Sequence, residues 1–122
     1  IWKALTAVKT AQQIEKQTGK PSVPVFWMAS EDHNWHEIMN FGLLKSNFEV
    51  LKFSLKEHFF LQRQPTGQIP VNNKEVRKIL LRALNEISVP QISKFYSNGT
   101  LTEAFARTLL WLLNDFPILL LD

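Results

Sequence analysis

The stretch Val23-Pro24-Val25-Phe26-Trp27-Met28-Ala29 is apolar at every position, and the polar run Ser30-Glu31-Asp32-His33-Asn34 follows it directly. Apolar side chains on both faces are typical of a strand that lies between layers of helices, usually in a parallel sheet. Open α/β sheets bind their ligands beyond the carboxyl ends of such strands. The sequence therefore predicts a buried strand whose carboxyl end carries a loop suited to binding or catalysis.

Helices and a second apolar run flank this strand. An apolar periodicity over residues 1–14 predicts a helix at the start of the chain. Later, Thr100-Leu101-Thr102-Glu103 has the pattern of a capping box, and the helix that it opens should stop at Pro117. Residues 118–121 then form another apolar run. Because both apolar runs follow helices, we expect residues 25–29 and 118–121 to be neighbouring or near-neighbouring strands of one largely parallel sheet.

The middle of the chain predicts a hairpin, a loop and two helices. Alternating apolar residues over 41–55 predict two short strands with a short connection. Residues 57–73 contain Pro and Gly and predict a loop. Within it, Thr66-Gly67-Gln68 is either a turn or a segment that approaches a ligand, and the turn is the preferred interpretation. A helix should begin near Asn72 or Asn73 and end before Pro90, with a short helix or turn after it. This order of elements predicts an α/β protein, namely a partial Rossmann-like layered domain with a small hairpin insertion.

Composition and charge exclude several classes of protein. The chain has 122 residues, 45% hydrophobic and 20% charged, which suits a single globular core. It contains no Cys, which excludes a disulfide scaffold, a thiolate zinc site and a cysteine nucleophile within these residues. The net charge of +3 is mild and spread along the chain, and no apolar run approaches the roughly 20 residues that span a bilayer. We therefore predict neither a nucleic-acid nor a membrane partner.

The densest group of titratable side chains follows the predicted buried strand and comprises Glu31, Asp32, His33, His36 and Glu37. Three interpretations are open. The group can form a substrate-binding and acid/base loop, in which His33 moves protons near neutral pH. Alternatively, the two His and an adjacent acid bind a metal, although the spacing matches no common zinc motif. In the third interpretation, the acids only favour the dipole at the start of a helix.

Four stretches of the chain together carry a family resemblance. They are Ile1-Trp2-Lys3-Ala4-Leu5-Thr6-Ala7-Val8-Lys9, Val23-Pro24-Val25-Phe26-Trp27-Met28-Ala29-Ser30-Glu31-Asp32-His33, Gly67-Gln68-Ile69-Pro70 and Leu101-Thr102-Glu103-Ala104-Phe105-Ala106-Arg107. In this order they resemble landmarks of the cysteine-adding enzymes of bacillithiol biosynthesis, the BshC family, and the second is the most specific. The resemblance implies a Rossmann-like core related to nucleotidyltransferase-type folds.

The resemblance also implies an enzymatic activity and the residues that take part in it. It implies a cytoplasmic ligase, homodimeric at full length, that joins cysteine to a glucosaminyl-malate acceptor through an amide bond. His33 would be a proton-transfer or hydrogen-bonding group, while Glu31 and Asp32 would pair with a substrate ammonium. A nucleotide is a candidate cofactor, and no metal is expected. The residues predicted to bind substrate are Trp2, Lys3 and Asn34.

The sequence departs from the family pattern in two ways. It lacks the preceding strand, the glycine-containing substrate loop and the C-terminal coiled coil, so we expect residues 1–122 to be a single, truncated Rossmann-like domain that is inactive alone. Asn34 and His36 stand where the family usually has acidic residues, which limits the transfer of site roles to Glu31, Asp32 and His33. The rival hypothesis is a non-catalytic α/β binding or interaction module.

Overall fold

The computed structural model describes residues 1–45, 47–55, 64–87 and 89–122, without the side chains of residues 35, 36 and 87. Its elements, in chain order, are α1 (Trp2–Thr18), β1 (Val25–Trp27), α2 (Trp35–Ile38), β2 (Asn40–Leu44), β3 (Val50–Ser54), a short 3-10 helix (Thr66–Gln68), α3 (Lys74–Ile87), α4 (Pro90–Phe95), α5 (Leu101–Leu112) and β4 (Leu119–Leu121). Among these residues, no helix has the length and apolar character required to cross a membrane.

The described chain forms two compact units. The first comprises residues 1–29 and 106–122, and the second comprises residues 30–105. The first unit contains α1, β1 and β4, whereas the second contains the hairpin of β2 and β3 together with α2, α3 and α4.

In the first unit, β1 and β4 pair in parallel, with Val25 opposite Leu119 and Trp27 opposite Leu121. The hydrogen bonds continue beyond the strand ends, because Met28 N donates to the Leu121 carbonyl at 2.8 Å. The predicted parallel pairing of the two apolar runs is therefore confirmed. The first strand is nevertheless shorter than predicted, with three residues in the regular ladder.

The prediction that this strand is buried on both faces is wrong. Phe26 and Leu120 are partly buried, but the opposite face is exposed, and Trp27 on that face is 64% exposed. Successive side chains of a strand point to opposite faces of a sheet. In the first unit, α1 packs against β1 and buries Ala4 and Val8. The apolar residues on the uncovered face of the sheet are Val25, Trp27, Leu119 and Leu121.

In the second unit, the predicted hairpin is confirmed. Strands β2 and β3 pair antiparallel, and Phe41 lies opposite Phe53. Their rings stack with centroids 5.1 Å apart. Leu55 N then donates to the Met39 carbonyl at 2.8 Å, which extends the pairing past the strand ends.

The core of the second unit lies beneath the hairpin and α3. Leu55, Ile69 and Val76 are buried together, and Ile69 is only 1% exposed. Ile69 belongs to the stretch predicted as loop, yet its carbonyl accepts a hydrogen bond from Leu101 N at 2.9 Å. A single antiparallel bridge between Pro70 and Thr100 adjoins this bond. These contacts join an irregular segment to the start of α5.

Both predicted helix starts of the second unit are capped by side chains. Asn73 Oδ1 accepts a hydrogen bond from Glu75 N at 3.1 Å, so α3 begins where the sequence predicts. At the start of α5, Glu103 N donates to Thr100 Oγ1 at 3.2 Å, and Thr100 N donates to Glu103 Oε2 at 3.1 Å. The reciprocal bonds confirm the predicted capping box, which satisfies two amides that the helix itself leaves without a partner.

Replacing Thr100 with alanine should lower the free energy of unfolding by about 1 kcal/mol, because the Glu103 amide loses its acceptor. Urea denaturation followed by circular dichroism measures this change. Thr100→Ser is the matched control because serine keeps the hydroxyl. Its free energy of unfolding should stay close to that of the unmodified chain. Equal losses for both variants would show that the methyl group, and not the cap, is responsible.

Candidate active site

The candidate site begins where β1 ends, in a sharply turned backbone. Ala29 has a φ of 50°, which lies in the left-handed region. For a residue with a Cβ atom this conformation costs roughly 1–2 kcal/mol. Residues 30–34, which we call the site loop, follow directly and lead into α2. The turn therefore ends the strand and starts the polar segment within a few residues.

The site loop presents its predicted catalytic residues to solvent. Glu31, Asp32 and His33 are all exposed, as is Asn34 beside them. These four predicted site residues all belong to the second unit. The other two, Trp2 and Lys3, lie in the first turn of α1 in the first unit and are also exposed, Trp2 by 83%. All six side chains can thus be reached by a small molecule.

The side chains of Asp32 and Asn34 form hydrogen bonds within the site loop and with Glu37 of α2. Asp32 Oδ1 accepts from Asn34 N at 2.9 Å, and Asn34 Nδ2 donates to Glu37 Oε1 at 2.7 Å. Glu37 N in turn donates to the Asn34 carbonyl at 3.2 Å. These bonds organise the start of α2. They use one oxygen of the Asp32 carboxylate, and they orient the side chain of Asn34 toward Glu37.

A second segment, distant in sequence, contacts the backbone of the site loop. Thr66 N donates to the Asp32 carbonyl at 3.0 Å, and Gly67 N donates to the Ser30 carbonyl at 2.8 Å. The predicted turn at Thr66-Gly67-Gln68 is confirmed as a 3-10 helix. Its contact with the site loop was not predicted, because no local pattern links residues more than thirty positions apart.

Within the described residues, no group of three or more His, Cys, Asp or Glu side chains could hold a metal ion. The side chain of His36, which the metal interpretation uses, lies outside the described residues. Two cavities of the second unit, of about 550 Å³ beside the hairpin and about 270 Å³ between α3 and α4, are lined by other residues. Neither of these two cavities includes a residue of the site loop.

Comparison with known proteins identifies the family. The model of the family described as "Bacillithiol biosynthesis BshC, N-terminal Rossmann-like domain" matches residues 1–122. The chain belongs to the BshC family. Its fold is accordingly Rossmann-like, and the parallel pairing of β1 with β4 and the mixture of helices and strands agree with that class.

Curated relatives of this BshC domain bear the name "Putative cysteine ligase BshC". The relative from Salinibacter ruber is 31% identical over 123 residues, which cover 94% of this chain and 22% of that protein. The relative from Carboxydothermus hydrogenoformans is 30% identical, covering 100% of this chain and 24% of that protein. The relative from Symbiobacterium thermophilum is 37% identical over 71 residues. The chain thus spans about a quarter of the length of the relatives that it matches throughout.

Proposed function

We propose that the full-length protein is a ligase of bacillithiol biosynthesis that joins cysteine to a glucosaminyl-malate acceptor, and that residues 1–122 contribute part of its active site. The observation that carries this proposal is the match of the whole chain to the BshC N-terminal domain. Relatives named as cysteine ligases of this family support the reaction class. The acceptor is inferred from the family's place in bacillithiol biosynthesis.

The site loop offers side chains that suit amide formation. Amide formation needs a carboxyl group that has first been activated, for which a nucleoside triphosphate is the candidate; the activating phosphate or nucleotide would leave as the C–N bond forms. The attacking amine must first lose its extra proton, and a histidine is suited to accept that proton near neutral pH. We assign this role to His33, which is exposed beside Glu31 and Asp32. The carboxylates of Glu31 and Asp32 would pair with the ammonium group of a substrate before the proton leaves. Asp32 keeps one carboxylate oxygen beyond its bond to Asn34 N.

The proposed substrate-binding residues suit a substrate that carries acids and hydroxyls. The ammonium of Lys3 can pair with a malate carboxylate, and the exposed ring of Trp2 can pack on the sugar. Asn34 donates through Nδ2 to Glu37, so its free acceptor is the side-chain carbonyl oxygen. We also propose that the enzyme is cytoplasmic and homodimeric at full length, and that residues 1–122 form one domain without activity of its own.

An assay with the full-length protein tests the proposal. Cysteine and glucosaminyl-malate are incubated with and without a nucleoside triphosphate, and the amide product is followed by mass spectrometry. We expect cysteine-dependent product from the full-length protein, none from residues 1–122 alone, and no loss of rate with a chelator. Binding of both substrates without any product would favour the rival, a non-catalytic module. Loss of activity with a chelator and its return with added metal would favour the metal interpretation.

A further inference from the structure

We propose that Thr66 and Gly67 are positioning residues that hold the site loop in its working conformation. This inference rests on the proposed function, because the loop that they hold carries Glu31, Asp32 and His33. Thr66 N and Gly67 N donate to the carbonyls of Asp32 and Ser30 at 3.0 and 2.8 Å. The two bonds fix the backbone on both sides of Glu31 and directly before His33.

Gly67 is required at this contact by space and not by backbone conformation. The left-handed glycines are Gly19 and Gly99, and Gly67 is not among them. A Cβ atom added to Gly67 would collide with Ser30 Cβ and would lie 2.9 Å from the Ser30 carbonyl oxygen. Carbon and oxygen atoms that are not bonded do not approach this closely without a shift. Any larger side chain at position 67 must therefore push the start of the site loop away.

The segment that carries the two donors is itself anchored in the core. Ile69, two residues after Gly67, is buried, and its carbonyl accepts the hydrogen bond from Leu101 N. The bridge between Pro70 and Thr100 follows immediately. A loop is a poor support for a catalytic group unless packing and hydrogen bonds lock it. Here the exposed site loop obtains that support from a buried segment through backbone bonds.

Substitution of Gly67 by alanine in the full-length enzyme tests the inference. Because a displacement of about 1 Å can cost as much as 10²-fold in rate, we expect kcat to fall by roughly 10- to 100-fold. The KM for cysteine should change much less, and the melting temperature should stay within a few degrees. A purely structural role of Gly67 would lower the melting temperature and leave kcat per folded molecule unchanged.

Gly42→Ala is the matched control for this substitution. A Cβ atom on Gly42 would lie 3.2 Å from Val50 Cγ1, which is part of a 55% exposed side chain that can move aside. We expect its kcat to equal that of the unmodified enzyme. Replacing Ser30 with glycine in the Gly67→Ala enzyme removes the Cβ atom that the new methyl group meets, so part of the lost kcat should return.

A second variant acts on the Asp32 side of the site loop. Thr66→Pro eliminates the amide that donates to the Asp32 carbonyl and the hydroxyl that donates to the Ser30 carbonyl at 3.5 Å, and its Cδ atom takes the place of the amide hydrogen against the Asp32 oxygen. Proline is itself tolerated at the first position of a helix. The preceding Pro65 has a ψ of 141°, which is the conformation that a residue before proline prefers. We expect a severalfold loss of kcat for Thr66→Pro and none for Thr66→Ser.

Two outcomes separate this inference from the proposed function. If His33→Ala is inactive while Gly67→Ala and Thr66→Pro turn over normally, the positioning role is overturned and the proposed function stands. If the unmodified enzyme forms no amide product, the proposed function fails, and backbone amide NMR shifts then decide the positioning role. Gly67→Ala should shift the amides of residues 30–33 more than those of Gly42 and its neighbours. Unchanged shifts in the site loop would overturn the inference.

Discussion

Replacing His33 with alanine in the full-length protein should lower kcat by about 10²-fold or more, which is the usual contribution of a side chain that transfers a proton. The imidazole is exposed at the carboxyl end of β1, so its removal leaves no cavity and should alter the free energy of unfolding by less than about 0.5 kcal/mol. Steady-state kinetics of amide formation and urea denaturation measure the two quantities on the same preparation.

His33→Gln distinguishes proton transfer from hydrogen bonding. Glutamine keeps a hydrogen-bonding side chain but cannot accept a proton near neutral pH. If His33 transfers a proton, the glutamine variant should be as slow as the alanine variant. Recovery of most of the activity with glutamine would assign His33 to hydrogen bonding alone. If both variants turn over at the normal rate, the site loop serves only to start α2, and His33 has no catalytic role.

Replacing Ile69 with alanine should lower the free energy of unfolding by about 2–5 kcal/mol, the range found for large aliphatic residues in well-packed cores. Ile69 is 1% exposed and packs with Leu55 and Val76. A loss of this size is a large part of the roughly 5–15 kcal/mol that stabilises a typical domain. Chemical denaturation, fitted with a common slope for all variants, gives the difference.

Leu81→Ala is the control for the core substitution. Leu81 lies on α3 in the same unit and is 51% exposed. Leu81→Ala should therefore lower the free energy of unfolding by less than about 1 kcal/mol. Similar losses for Ile69→Ala and Leu81→Ala would contradict a core centred on Ile69. A broadened transition for Ile69→Ala alone would instead show that the second unit unfolds separately from the rest of the chain.

The sequence predicted where the site loop begins better than how the strand before it is covered. The change from apolar to polar residues after Ala29 locates the site loop, and the structure exposes Glu31, Asp32 and His33 there. The expectation of a fully buried preceding strand was wrong, because one face of the β1–β4 sheet is exposed in the described residues. Periodicity shows that a run is apolar on both faces, but it does not show whether another element covers each face.

Features that depend on residues close together in the chain could be predicted from the sequence alone. The capping box of Thr100 and Glu103 joins groups three positions apart, and Asn73 caps α3 through a bond to Glu75 N. Such contacts recur whenever the same local pattern occurs, so they can be recognised without knowledge of the fold. The hairpin of β2 and β3 is also set by alternation over a short span.

Contacts between segments that are distant in the sequence could not be predicted and are seen only in the folded structure. The approach of Gly67 to Ser30 and the burial of Ile69 in a stretch that lacks regular periodicity are the two examples. Neither leaves a local pattern, because a backbone amide that bonds to a distant carbonyl requires only an N–H group, which nearly every residue provides. Position 67 requires glycine because a Cβ atom there would collide with Ser30. The two residues come together only when the chain folds.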